Sequence, residues 1–82
     1  MFRTREHSNQ ISPERVEQAA KSRLARTGYP KLKAIECSFR DGTIVLRGRV
    51  PSYFHKQLAQ EALRSVGQVE QVINNIEVSS LP

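Results

Sequence analysis

Residues Ile35 to Val50 read I-E-C-S-F-R-D-G-T-I-V-L-R-G-R-V, two runs of alternating apolar and polar residues flanking Asp41-Gly42. An Asp-Gly pair between such runs predicts a β-hairpin. Its two-residue type I′ turn needs positive φ at both central positions, and Gly supplies one at no steric cost. That turn length fixes the register. Arg40 faces Thr43, Phe39 faces Ile44, Ser38 faces Val45, Cys37 faces Leu46, Glu36 faces Arg47 and Ile35 faces Gly48. Side chains alternate along a strand, so Ile35, Cys37, Phe39, Ile44, Leu46, Gly48 and Val50 share one face. The other face carries Glu36, Ser38, Arg40, Thr43, Val45, Arg47 and Arg49. A sheet apolar on one side only is expected to carry helices there and stay open on the other. Gly48 interrupts the apolar face, which fits either a bulge or, the preferred reading, close approach of a helix backbone at that point. Glu36 and Arg47 are expected to pair across the open face, worth roughly 0.2–1 kcal/mol.

Outward from the hairpin, helix signals stand on both sides. Ser12-Pro13-Glu14 reads as an N-cap, a first helical residue and an acid at the positive end of the dipole. The helix is expected to run to about Thr27 and stop at Gly28, with Val16, Ala19, Ala20 and Leu24 facing inward. Tyr29 to Lys33 form a connection in which Leu32 plugs the core edge. After the hairpin, Pro51 has no N–H for a ladder and ends the strand. Ser52 is the expected N-cap of a second helix reaching Ser65 or Val66, with Leu58, Ala59, Ala62, Leu63 and Val66 inward and Gly67 just past its end. Val72 to Val78 reads as a third strand, with Val72, Asn74, Ile76 and Val78 on one side. The predicted fold is α+β in the order α-β-β-α-β, a mixed three-stranded sheet with both helices packed on one face. A parallel pairing of the second and third strands would require a right-handed crossover. The domain is expected to span 12–78, between a flexible tail at 1–11 and a short one at 79–82.

Composition limits the chemistry. The chain has 82 residues, and a domain this small buries only about 60% of its unfolded surface, too little for a deep enclosed active site. Net charge is +5 with a pI near 10.0, which favours acidic partners such as anionic lipid, nucleic acid or an acidic protein. A single cysteine excludes an internal disulfide, and Cys37 is expected as a buried thiol. His7 and His55 are expected to be solvent-exposed, with no nucleophile or orienting group beside either, so no catalytic residues are assigned. Two distant histidines and one cysteine give no metal site, and no nucleotide-binding motif implies a cofactor. Nucleic-acid binding is disfavoured: no G-x-x-G loop is present, and the open sheet face offers no aromatic platform. No apolar run reaches transmembrane length, and the first ten residues lack the apolar stretch of a signal peptide. The chain as written is expected in the cytoplasm, peripheral to a membrane, or in the periplasm if it is a domain excised from a longer protein.

Two segments together carry a family pattern: D-G-x-x-x-L-x-G-x-V from Asp41 to Val50, and G-x-V-x-x-V-x-N-x-I-x-V from Gly67 to Val78. With a helix between them and another before them, the chain resembles the BON domain family over roughly residues 13–78. The resemblance implies a non-enzymatic module that binds phospholipid or another envelope component, or that attaches a larger protein to it. Such domains often occur in pairs in exported bacterial proteins, whereas this sequence holds one copy and no export signal. Tyr53-Phe54-His55-Lys56 opens a helix that is usually more polar in the family.

Following the chain between the ends of the sheet yields two candidate surfaces. At the end away from the turn, helix 1 and the connection after it bring Arg26, Lys31 and Lys33, the second strand brings Arg47 and Arg49, and helix 2 brings Tyr53, Phe54 and Lys56. Glu36 and Glu77 lie nearby, while Glu14, Asp41 and Glu70 are expected at the turn end. A basic end with an aromatic tip suits an anionic phospholipid surface or envelope component. The alternative is a protein–protein or self-association contact on the open sheet face, where Val45 and Ile73 are expected to be exposed.

Overall fold

The computed structural model describes residues 12–79. Within them the order is α1 (Pro13–Arg26), a 3₁₀ turn (Pro30–Ala34), β1 (Glu36–Arg40), β2 (Thr43–Val50), α2 (Tyr53–Leu63) and β3 (Gln71–Val78). The sheet order is β1-β2-β3, antiparallel between β1 and β2 and parallel between β2 and β3, so the α+β, α-β-β-α-β reading stands. Residues 1–11 and 80–82, including His7, lie outside the described residues; of the expected tail at 79–82 only Ser79 is described.

The hairpin forms in the register its turn dictates, from Arg40↔Thr43 to Glu36↔Arg47. Asp41 (φ 49°) and Gly42 (φ 82°) both take positive φ, as a type I′ turn requires. The Gly42 carbonyl then accepts N–H groups from Glu70 (2.7 Å) and Gln71 (3.1 Å) and starts the parallel ladder. That ladder runs one-to-one from Thr43↔Gln71 to Val50↔Val78 with no bulge. The core joins Val16, Ala20 and Leu24 of α1, Leu32 and Ile35, Phe39, Ile44, Leu46, Val50 and Ile76 of the sheet, and Ala59, Leu63 and Val66. Leu32 is fully buried, as expected of a plug.

Five local expectations need correction. Ala19 is exposed, because α1 meets the core along a strict i, i+4, i+8 line of Val16, Ala20 and Leu24. The second helix stops at Leu63: the Ser65 hydroxyl donates to the Ala62 carbonyl (3.2 Å), and Val66 turns into the core through a bond from its N–H to Leu63 O (3.1 Å). Gly67 is therefore not the helix-ending glycine and lacks positive φ. Glu36 and Arg47 are ladder neighbours, but the ion pairs among the described residues are Arg49–Glu77 and Glu61–Arg64. Gly48 does not admit a helix backbone. It has φ 146°, and a Cβ there would fall 2.8 Å from Ile35 Cδ1 and 3.5 Å from Ile35 Cα, where the chain enters β1.

Both sheet edges are blunted by side chains absent from the hydrophobic pattern. On β1 the Phe39 N–H donates to Glu17 Oε2 of α1 (2.8 Å). On β3 the Ile76 N–H donates to Asn74 Oδ1 (3.2 Å), while Asn74 Nδ2 donates to Lys56 O (3.0 Å) and Gln60 Oε1 (3.1 Å) of α2. Each helix is thus tied to one edge by a polar contact in addition to its apolar face.

Gly48→Ala is expected to lower stability by about 1–3 kcal/mol, the typical cost of holding a non-glycine residue in this sparsely populated region. Urea unfolding measures it, and a variant within about 0.5 kcal/mol of wild type, the usual range for neutral surface changes, would contradict the reading.

Candidate functional site

The end of the sheet away from the turn is assembled from five segments. β2 and β3 run in parallel and finish there, joined by a bond from Ser79 N–H to Val50 O (2.8 Å). α2 starts there two residues after Pro51. α1 finishes there and leads into the 3₁₀ turn, which touches α1, α2 and β2. Arg26 is the last residue of α1, Lys31 and Lys33 lie in the 3₁₀ turn, and Arg47 and Arg49 lie on the open face of β2; all five are exposed. Lys56, in the first turn of α2, is half-buried. The guanidinium of Arg49 meets Glu77 Oε1 at 3.2 Å, with both side chains exposed, which offsets part of its charge.

The aromatic residues of this end face solvent. Tyr53 is 64% and Phe54 55% exposed. The Phe54 ring meets Tyr29 with centroids 5.5 Å apart and His55 at 5.8 Å, and Tyr29 meets His55 at 5.5 Å. All three contacts are edge-to-face, the arrangement ring quadrupoles prefer. Ser52 organises this tip as the N-cap of α2: its Oγ accepts the His55 N–H (3.3 Å) and lies 2.8 Å from His55 Nδ1. His55 is half-buried rather than solvent-exposed, because it is held between the cap and the two rings.

Tyr29, His55 and Val78 belong to this end and were not singled out by sequence reasoning. Tyr29 lies in an aperiodic connection, where no pattern assigns it a face. Val78 shares the inward alternation of β3 but is 41% exposed, because it closes an edge strand with a neighbour on one side only. Of the exposed large apolar residues, Tyr29, Tyr53, Phe54 and Val78 lie at this end, and Ile73 lies on the open sheet face at 38% exposure. Val45, paired with Ile73 across the ladder, is half-buried.

Elsewhere the chemistry is sparse. A concavity of about 630 Å³ at the hairpin end is lined by Glu17, Ser38, Phe39, Arg40, Asp41, Thr43 and Val45, a set without a nucleophile–base pair. Among the described residues no three His, Cys, Asp or Glu side chains gather to hold a metal ion, and no helix is long and apolar enough to cross a membrane. Cys37 is half-buried rather than fully buried. Burial pushes its thiol up to about 11, against a smaller opposing pull from Lys21.

The family model of the BON domain matches residues 12–80, nearly the whole chain. No curated protein matches the chain significantly.

A thiol pushed up to about 11 holds its proton more tightly in the folded protein than in the unfolded one, whose value is the ordinary 9.0. Its contribution to stability is full below about pH 9 and is lost as pH rises through about 11. Alkylation of native Cys37, followed by mass spectrometry, is expected to be slower at pH 8 than that of the urea-unfolded chain by at least about tenfold. Equal rates would contradict the assignment.

Proposed function

The chain belongs to the BON domain family, and on that footing we propose that it is a non-enzymatic binding module whose basic, aromatic end contacts anionic phospholipid. One observation carries the reading. Tyr29, Tyr53, Phe54 and Val78 are exposed at the same end of the sheet as Arg26, Lys31, Lys33, Arg47, Arg49 and Lys56. Exposed apolar side chains grouped together mark interaction sites, whereas scattered ones do not. A basic surround favours an anionic partner, and aromatic rings settle at the headgroup level of a bilayer.

The magnitudes fit reversible, peripheral binding. Each lysine or arginine close to an anionic surface contributes about 1 kcal/mol, falling off within a Debye length of about 8 Å at physiological salt. Arg49 contributes less than a free cation while Glu77 neutralises part of it. The rings add apolar contact that salt does not screen. Edge-to-face packing keeps Tyr29 and Phe54 together as one tip, so little ordering entropy is lost on contact.

Co-sedimentation with phosphatidylglycerol and phosphatidylcholine vesicles, at low and physiological salt, tests the proposal. Binding to the anionic vesicles alone is expected, weakening with salt. The Lys31→Glu, Lys33→Glu double variant is expected to weaken it at least about tenfold, the loss corresponding to one to two basic contacts, and Phe54→Ser at least about tenfold through lost apolar burial of about 1.5–3 kcal/mol. Wild-type protein left in the supernatant with anionic vesicles at low salt would overturn the proposal, as would binding to single-stranded RNA but to neither vesicle.

A further inference from the structure

The ladders order the open sheet face into rows. Arg40, Thr43 and Gln71 form one row, Ser38, Val45 and Ile73 the next, and Glu36, Arg47 and Asn75 the third. The middle row is uncharged and carries the two apolar residues of this face, Val45 and Ile73. The outer rows carry opposite charges on β1: Arg40 above the middle and Glu36 below it. Neither makes an ion pair among the described residues, and both are exposed.

This pattern is self-complementary under one symmetry operation. A two-fold axis along the middle row lays the face on a second copy with each strand over its counterpart, running the other way. Val45 then faces Val45 and Ile73 faces Ile73. The first row of each copy lies over the third row of the other, so Arg40 meets Glu36 twice, Thr43 meets Arg47 twice and Gln71 meets Asn75 twice. A two-fold axis along the strands would instead lay Arg40 over Gln71 and leave Glu36 without a cation. We infer that the open sheet face is an interface between two antiparallel copies of this chain, centred on Val45 and Ile73 and registered by reciprocal Arg40–Glu36 ion pairs.

The expected association is weak. Three strands over five residues present roughly 250 Å² of sheet face at normal strand spacings. A standard stable interface takes about 800 Å² from each partner. The dimer is therefore a high-concentration species. The interface covers Arg47, which the basic end shares, but leaves the aromatic tip, Lys31 and Lys33 outside it and places the two tips at opposite ends; it therefore does not rest on the phospholipid reading.

Sedimentation equilibrium of the chain between about 50 μM and 1 mM, dissociation constants worth only about 4–6 kcal/mol, reads the association. Wild type is expected to rise from monomer mass toward dimer. Arg40→Glu and Glu36→Arg alter exposed strand residues and are expected to remain folded by circular dichroism. Each alone is expected to stay monomeric, because like charges then meet twice. An equimolar mixture of the two variants is expected to associate at least as well as wild type, since both contacts become attractive between unlike copies. Monomeric wild type throughout the range would overturn the inference. So would single variants that associate like wild type, or a mixture that stays monomeric.

Discussion

The Gly42 carbonyl is the constraint on which the sheet depends. Asp41-Gly42 closes the antiparallel hairpin, and the oxygen of that same turn takes the N–H groups of Glu70 and Gln71. One two-residue element therefore sets two registers, one local and one across the α2 crossover. A slip of one residue at Gln71 would turn Ile76 out of the core and bring Glu77 in, so the carbonyl and the hydrophobic pattern enforce the same pairing. The crossover has little slack: after Leu63 the chain makes tight turns through Val66 and Val69 before reaching the turn again.

With the registers set, the polar contacts decide which surfaces remain available. Glu17 occupies one edge of the sheet, and Asn74 covers part of the other while tying it to α2. Strand addition at the short edge would have to displace a carboxylate from the Phe39 amide. Among the described residues, the basic, aromatic end and the open face are held by a single ion pair, Arg49–Glu77, and no helix covers them. Gly48 matters to the first of these. Its φ of 146° lets Ile35 cross close to β2, and that crossing brings the 3₁₀ turn, with Lys31 and Lys33, against the end of the strand.

The hairpin, the helix starts and the element order were legible because each rests on a short-range rule. Asp-Gly admits few turns, Ser52 caps its helix, Pro13 fits a first helical turn even though the Ser12 hydroxyl donates to Glu14 instead of capping the backbone, and alternation assigns faces without knowledge of the rest of the chain. The errors arose where a residue answers to a neighbour distant in sequence. Ala19 fits the helical period but misses the core, because the sheet meets α1 along a narrow line. Gly48 signalled a close approach but not its source, since Ile35 and a helix backbone call for the same missing side chain. Glu17 reads as an ordinary exposed acid, and only the fold brings it to the Phe39 amide. In the candidate site, the basic residues and Phe54 followed from topology. Tyr29 and His55 did not, because edge-to-face contacts between a connection and a helix start leave no periodic trace.

A basic surface and an aromatic tip are separately common. Their joint presence at one end, built from α1, the 3₁₀ turn, β2, α2 and β3, is what favours a bilayer over a diffuse anionic partner. The chain contains no tryptophan, so Phe54→Trp would place a single reporter at the tip. Its emission during titration with phosphatidylglycerol vesicles tests the claim most directly. A blue shift, with quenching by brominated acyl chains, is the result that insertion of the tip predicts. Unshifted emission from protein that has nevertheless bound the vesicles would mean that another surface makes the contact, and would contradict the assignment of this end.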